Sequence, residues 1–289
     1  MIPKDILQEK FRKFVEEDIG QGDITTSLTI PSGTVVEAKV QVKEPGVTAG
    51  IEEALMFLEG FGLQANPLVS DGSKVRSKTD MLKIVGDART LLSIERTLLN
   101  LLSRMSGIAT FTNRLVEKVR RAGYKTRVAC TRKVAPGLSY FDKRAVVIGG
   151  GDTHRLHLDD MILVKDNHLA VIGDIDTAVK TVRKAVSFSK KVEVEVSTAE
   201  DALEAVEAGV DIVMLDNFTS KQAKNTIELL KKKGLRNRVL VESSGGVTEK
   251  NILEFAAAGV DIISLGEITD SAKALDMSLE IVKVRKGKS

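Results

Sequence analysis

The sequence predicts an α/β protein, a small N-terminal α/β layer followed by a parallel sheet wrapped in helices. Three observations predict it. From about residue 127, apolar runs alternate with helical runs at a spacing of roughly twenty to thirty-five residues. The apolar runs are continuous, as in strands buried on both faces. A phrase also repeats: Glu207-Ala208-Gly209-Val210-Asp211-Ile212-Val213 is echoed by Ala257-Ala258-Gly259-Val260-Asp261-Ile262-Ile263. Each copy ends a helix on a capping Gly and runs at once into a buried strand.

The elements follow in order. Residues 4–17 have helical periodicity, with Ile6, Leu7, Phe11, Phe14 and Val15 on one side. Asp18–Thr26 reads as a turn-rich loop. Val36, Ala38, Val40 and Val42 alternate as a strand, which Glu44-Pro45-Gly46 breaks. Residues 51–61 are helical, Asp71-Gly72 marks a turn, and Met81–Gly86 is a strand. Residues 90–121 are helical, and Ser106-Gly107 is expected to split them into two helices. Strands are then expected at 127–130, 161–164, 192–196, 211–215, 239–241 and 261–265. Helices are expected at 176–187, 199–208, 221–232 and 248–258, with Thr248 as an N-cap. Six strand signals favour a barrel, and a doubly wound sheet fits the same alternation.

Composition narrows the function. A length of 289 residues suits one large or two medium domains. No stretch approaches the ~18 apolar residues of a membrane span. The start, Met1-Ile2-Pro3-Lys4-Asp5, is unlike a signal sequence. Cys130 is the single cysteine, so no internal disulfide forms, and a cytoplasmic location is expected. The net charge is +3, with no Trp and two Tyr. That composition argues against a nucleic-acid partner, and no membrane partner is expected.

In a βα barrel the chemistry sits at the C-terminal strand ends. Here those ends carry Thr131-Arg132-Lys133, Lys165-Asp166-Asn167-His168, Glu195, Asp216-Asn217, Glu242-Ser243-Ser244-Gly245-Gly246 and Gly266-Glu267. Arg132, Arg155 and Lys165 are natural anion holders. Ser243–Gly246 and Leu265-Gly266 occupy the usual phosphate position of barrels. Glu195 and Asp216 lie on adjacent strands and suit Mg²⁺ bridged to substrate phosphates. Glu193 and Glu195 share a strand face, so one is structural and the other catalytic. Three His and one Cys make no zinc set. His154, beside Arg155, is a candidate ligand contact; His168 is a weaker one and His157 a structural residue. Gly149-Gly150-Gly151 allows close backbone approach but is no dinucleotide fingerprint. Several cations facing two carboxylates point to a phosphorylated substrate.

In these motifs the chain resembles the quinolinate phosphoribosyltransferase family (decarboxylating nicotinate-nucleotide pyrophosphorylases, type II phosphoribosyltransferases). The resemblance spans nearly the whole chain: Glu17–Thr26, Glu95–Asn100, Ser106–Thr110, Thr131-Arg132-Lys133, Pro136-Gly137-Leu138, Gly149–Gly151, His154-Arg155, Lys165–His168, Glu193-Val194-Glu195, Leu215-Asp216-Asn217, Glu242–Gly246 and Gly259-Val260-Asp261. It implies an N-terminal α/β sandwich domain (1–108) and an incomplete, TIM-like α/β barrel (109–272). A C-terminal helix (273–289) would return to the first domain. It implies transfer of phosphoribosyl from phosphoribosyl pyrophosphate to quinolinate with loss of CO₂, giving nicotinate mononucleotide for NAD biosynthesis. By resemblance, Arg132, His154, Arg155 and Lys165 hold the two quinolinate carboxylates, with Arg96 arriving from the other subunit of a homodimer; a hexamer of such dimers is the alternative assembly. Lys133 meets the pyrophosphate, Glu195 and Asp216 the ribose hydroxyls and Mg²⁺, and Ser244, Gly245 and Gly266 the 5′-phosphate. The catalytic group implied is Lys133, Lys165, Glu195 and Asp216.

The chain departs from the family at four places. Cys130 stands where Asp is usual and Ser139 where Arg is usual; Thr153 replaces Asn and Asp270 replaces His. Three rival readings use the same residues. They are a molybdenum-transport-associated paralogue with another acceptor, a Schiff-base lyase with Lys165 as nucleophile, and a non-catalytic anion-binding module.

Overall fold

The computed structural model describes residues 2–285. It divides into two compact units. One comprises the chain up to Thr110 together with the stretch from Ala272, and the other comprises Phe111–Ser271.

The first unit begins with α1 (Lys4–Ile19), whose Leu7, Phe11 and Val15 are buried. The loop expected over 18–26 contains α2 (Ile24–Thr29), because the Asp23 carboxylate accepts the Thr26 N–H at 2.9 Å and caps a short helix. β1 (Val35–Val42) buries every second residue. Next come β2 (Gly46-Val47), α3 (Ile51–Gly60), β3 (Gln64–Pro67), β4 (Lys74-Val75) and β5 (Asp80–Asp87). β2, β3 and β4 have too few residues to show a period in the sequence. Phe11 on α1 meets Phe57 on α3 edge to face, with centroids 5.2 Å apart.

Residues 88–121 form one unbroken helix, α4 (Ala88–Arg121), not two. Ser106-Gly107 serves packing. A Cβ on Gly107 would stand 2.2 Å from the Lys273 carbonyl oxygen, and the Ser106 hydroxyl meets the backbone of Ala49. The glycine admits a second backbone against the helix, and the modest helix cost of Gly is accepted there.

The second unit alternates strand and helix. In order it contains β6 (Arg127–Cys130), α5 (Ser139–Ile148), β7 (Ile162–Val164), α6 (Asp166–Ile172), α7 (Ile175–Ala185), β8 (Val192–Val196), α8 (Ala199–Glu207), β9 (Ile212–Asp216), α9 (Ser220–Lys232), β10 (Leu240–Ser244), α10 (Ile252–Ala258), β11 (Ile262–Leu265) and α11 (Glu267–Asp270). Thr248 heads the turn before α10, its carbonyl accepting the Ile252 N–H at 3.0 Å, so the helix proper starts later than its sequence suggests. The strands pair in the order β6-β11-β10-β9-β8-β7, with every pairing parallel. The sheet is an incomplete barrel. β6 and β7 are its edges and do not pair with each other among the described residues; Asp152 makes a single parallel bridge beside Ala129.

The expected C-terminal helix is a strand, β12 (Met277–Arg285), and residues 286–289 of that expectation lie outside the described residues. β12 runs antiparallel to β1, with Val42 opposite Met277 and Val35 opposite Arg285, completing the first unit's sheet in the order β12-β1-β5-β3. The run Met277–Arg285 is rich in β-branched residues, and Lys43 and Lys39 pair with Glu280 across the seam.

Gly107→Ala tests the close approach at α4. Helix propensity alone favours alanine, whereas a Cβ against the Lys273 carbonyl should cost about 1–3 kcal/mol. Urea unfolding should show a net loss of stability; a gain would mean the approach is loose.

Candidate active site

The strand ends of the second unit enclose a cavity of about 700 Å³. Arg132 and Lys133 reach it from the end of β6, Lys165 from β7, Glu195 from β8 and Asp216 from β9. Ser244, Gly245 and Gly246 come from β10, and Gly266 and Asp270 from the end of β11. His154 and Arg155 enter from the stretch after Asp152. Apart from His154, Arg155 and Asp270, these residues lie at or just beyond the ends of parallel apolar strands, which turn the chain toward one common mouth.

Within the cavity the charges pair selectively. The Lys165 ammonium contacts the Glu195 carboxylate, and the Lys165 side chain is 42% exposed. Asn217, in the left-handed region at φ 57°, donates its amide to Asp216 Oδ2 at 2.6 Å and its N–H to the Ser244 carbonyl at 2.9 Å. A Cβ on Gly245 would come within 2.3 Å of the Asn217 amide oxygen, so only glycine fits beside that side chain. A Cβ on Gly266 would crowd Lys133 Cδ at 2.9 Å and Asp270 Oδ2 at 3.0 Å. Lys133 therefore lies over a bare backbone, with Asp270 nearby. Burial, and then the Arg132 charge, push the Arg155 guanidinium below its ordinary pKa.

Below these cations sits a buried set that sequence reasoning did not assemble. Glu193 and Glu242 are fully buried. His154 Nε2 lies 3.3 Å from Glu193 Oε2 and 3.2 Å from Glu242 Oε2, aimed between them, and neither contact reaches hydrogen-bond geometry. Glu242 Oε1 accepts the Ser264 hydroxyl at 2.6 Å. A residue beyond β6 thus meets residues of β8 and β10, which requires the sheet to curl around a shared interior. Burial opposes a charged His154, but the two carboxylates outweigh it and its pKa is pushed up to about 10. Burial pushes the Glu193 carboxyl up as well.

The Arg155 N–H donates to His154 Nδ1 at 2.8 Å, which leaves the ring hydrogen on Nε2. An imidazolium between two carboxylates, and a neutral imidazole beside one protonated carboxyl, hold the same number of protons. The Nδ1 bond and the raised Glu193 favour the second. A metal at this His-Glu-Glu set would need the Nε2 lone pair, so the trio is set up to share a proton and not to ligate a metal.

Of the residues singled out in the sequence, Arg132, Lys133, His154, Arg155, Lys165, Glu195, Asp216, Ser244, Gly245 and Gly266 all line this cavity. Arg96 does not; it lies exposed on α4 in the first unit. His168 Nδ1 accepts the Lys165 N–H at 2.9 Å and caps α6, and His157 is exposed, so neither lines the cavity. Glu193 is the structural member of the Glu193/Glu195 pair and Glu195 the one that faces the cavity. Glu242 was missed as a partner of Glu193. Its signal is a carboxylate inside an apolar strand, at the third position of β10 as Glu193 is at the second position of β8. For Mg²⁺, the Glu195 and Asp216 donors are all oxygen, on adjacent strand ends facing one cavity, which suits that ion. Glu195 would share its carboxylate with Lys165.

The chain matches two family models, the quinolinate phosphoribosyl transferase N-terminal domain over residues 23–106 and the C-terminal domain over residues 108–280. It is 46% identical to a probable nicotinate-nucleotide pyrophosphorylase [carboxylating] of Methanothermobacter thermautotrophicus, over 95% of this chain and 99% of that protein. It is 37% identical to the rat nicotinate-nucleotide pyrophosphorylase [carboxylating], over 97% of this chain and 93% of that protein. Among solved structures, NadC from Streptococcus pyogenes superposes with a TM-score of 0.89 at 33% identity, covering 99% of this chain and 98% of the other.

The buried trio makes stability depend on pH. The proton that His154 shares with the two carboxylates is held in the fold up to about pH 10, whereas a free histidine loses it near 6.5, so the stability it contributes is complete below 6.5 and lost as pH climbs through about 10. The thermal midpoint should therefore fall across that window, and Glu193→Gln should flatten the fall. An equal slope in the variant, read by differential scanning fluorimetry, would assign the effect to other groups.

Proposed function

The chain belongs to the quinolinate phosphoribosyltransferase family, and we propose that its cavity joins quinolinate to the phosphoribosyl group of phosphoribosyl pyrophosphate, releasing CO₂ and pyrophosphate. The product, nicotinate mononucleotide, serves NAD biosynthesis. The observation that carries this reading is the gathering of Arg132, Lys133, Arg155 and Lys165 in one cavity with Glu195, Asp216 and the glycine-lined ends of β10 and β11. Those cations suit a dicarboxylate and a pyrophosphate together; the small loops suit a 5′-phosphate that backbone N–H groups can approach.

In this reading Arg132, Arg155 and Lys165 hold the two carboxylates, with His154 at the same wall. Lys133 meets the pyrophosphate, and Glu195 and Asp216 take the ribose hydroxyls. Ser244, Gly245 and Gly266 receive the 5′-phosphate. The ribose C1–O bond breaks, and pyrophosphate leaves with the electron pair. Cations stabilise that leaving charge, while Glu195 and Asp216 favour the positive sugar. The pyridine nitrogen lone pair forms the new C1–N bond. The C2–carboxyl bond then breaks, CO₂ departs, the pair stays on C2 beside the positive nitrogen, and C2 takes up a proton. Mg²⁺, held by Asp216 and Glu195 with substrate oxygens, would supply neutralising charge to the pyrophosphate. The exposed position of Arg96 suits a homodimer in which it completes a neighbour's site. A cytoplasmic location accompanies this reading, in keeping with a single free cysteine and with no helix among the described residues long and apolar enough to cross a membrane.

The Schiff-base reading loses support. A Lys165 that is 42% exposed and in contact with a carboxylate lacks the desolvation that imine chemistry requires.

Purified protein supplied with phosphoribosyl pyrophosphate and Mg²⁺ should form nicotinate mononucleotide from quinolinate and none from nicotinate. Turnover of nicotinate, or none of either, would redirect the assignment to another acceptor. Arg132→Ala and Arg155→Ala should each lower kcat/KM for quinolinate on the order of ten- to a hundredfold, the worth of one charge-assisted contact. Arg96→Ala and Lys165→Ala, each inactive alone, should regain activity when mixed and allowed to exchange subunits. Absence of recovery would place Arg96 outside the site.

A further inference from the structure

Lys143 lies on the inner face of α5 and is 3% exposed. A lysine is rarely buried to that extent without a strong reason. Its ammonium donates to three backbone carbonyl oxygens: Thr131 at 2.9 Å, Thr153, and Arg155 at 3.4 Å. An ammonium has three protons, so its donors are all used. The acceptors belong to two separate stretches. Thr131 directly precedes Arg132 and Lys133 at the end of β6, and Thr153 and Arg155 flank His154. One buried cation therefore ties together the two backbone segments that deliver most of the cavity's positive charge.

Cys130, at the last position of β6, also donates to the Thr153 carbonyl, at 3.5 Å from Sγ. The Lys143 charge acts directly on the thiol. The family usually carries Asp at that position. Here the ammonium stands beside a thiol and not a carboxylate, and the Asp152 carboxylate also acts on that thiol.

We propose that Lys143 is a positioning residue for anion binding, fixing the spacing of the Arg132-Lys133 and His154-Arg155 segments and lending the cavity a positive charge that never touches the ligand. The proposal rests on the reading of the cavity as a site for a dicarboxylate.

Calorimetric titration with benzene-1,2-dicarboxylate and with benzoate tests it, alongside kcat and KM for quinolinate. In Lys143→Met, a substitution of similar length, the dicarboxylate should bind at least about tenfold more weakly, and benzoate should be affected less, because the effect scales with ligand charge. KM for quinolinate should rise more than kcat falls. Equal weakening of the two ligands would mean a merely structural role, and unchanged binding would also overturn the proposal. Cys130→Asp places a carboxylate beside the ammonium and keeps the three carbonyl contacts. It should weaken dicarboxylate binding without lowering the thermal midpoint, and it decides the charge question even if Lys143→Met fails to fold. An unchanged dicarboxylate affinity in Cys130→Asp overturns the electrostatic part. If the unsubstituted protein itself ignores the dicarboxylate, the reading of the cavity fails instead.

Discussion

A pocket that reads a polyanion must hold like charges close together before the anion arrives. Arg132 and Arg155 repel each other, and the Arg155 guanidinium is nearly buried. The second unit meets this constraint through its backbone and through charges placed beneath the surface. Parallel strands aim the cations at one mouth. Glu193, Glu242 and the His154 between them together leave a net negative charge below the cations. Lys143 secures the carbonyls on both sides of the cationic segments. Glu195 occupies the Lys165 ammonium. Each arrangement costs desolvation that only a rigid, well-packed interior can sustain.

Much of this was legible in the sequence because the strands are short, apolar and end in polar residues. Arg132, Lys165, Glu195 and Asp216 could be placed by counting from the end of each run, since the inward positions of a parallel strand are fixed by its period of two. What the sequence hid is tertiary. Gly107 looks like a helix breaker, and only the backbone lying against it reveals why it is tolerated. Lys143 sits in a short helix where a lysine ordinarily faces water. Glu193, Glu242 and His154 are far apart along the chain, and nothing local announces that a curled sheet brings their polar atoms within 4.8 Å of one another. The C-terminal strand was misread because its helical form was carried over from the resemblance, while its own residues favour β structure and find a partner in β1.

The departures from the family motifs fall around Lys133 and Lys143. Cys130 removes a carboxylate next to Lys143, and Asp270 adds one near Lys133, across the bare backbone of Gly266. Thr153 contributes through its carbonyl, which Lys143 and Cys130 share, and its hydroxyl donates to the His154 carbonyl at 2.8 Å. Ser139 opens α5, the helix that carries Lys143.

The strand that closes the first unit's sheet is made after the whole second unit. During synthesis on a ribosome, β1, with its valine-rich alternating face, has β5 on one side and an unpaired edge on the other until Met277–Arg285 emerges. The whole second unit leaves the exit tunnel in that interval, and its sheet can assemble from residues already present. The order of assembly is thus inverted relative to the order of translation: the domain begun first is finished last. Throughout that wait one edge of β1 has no strand beside it, and an unpaired edge of this kind is open to pairing with a neighbouring chain.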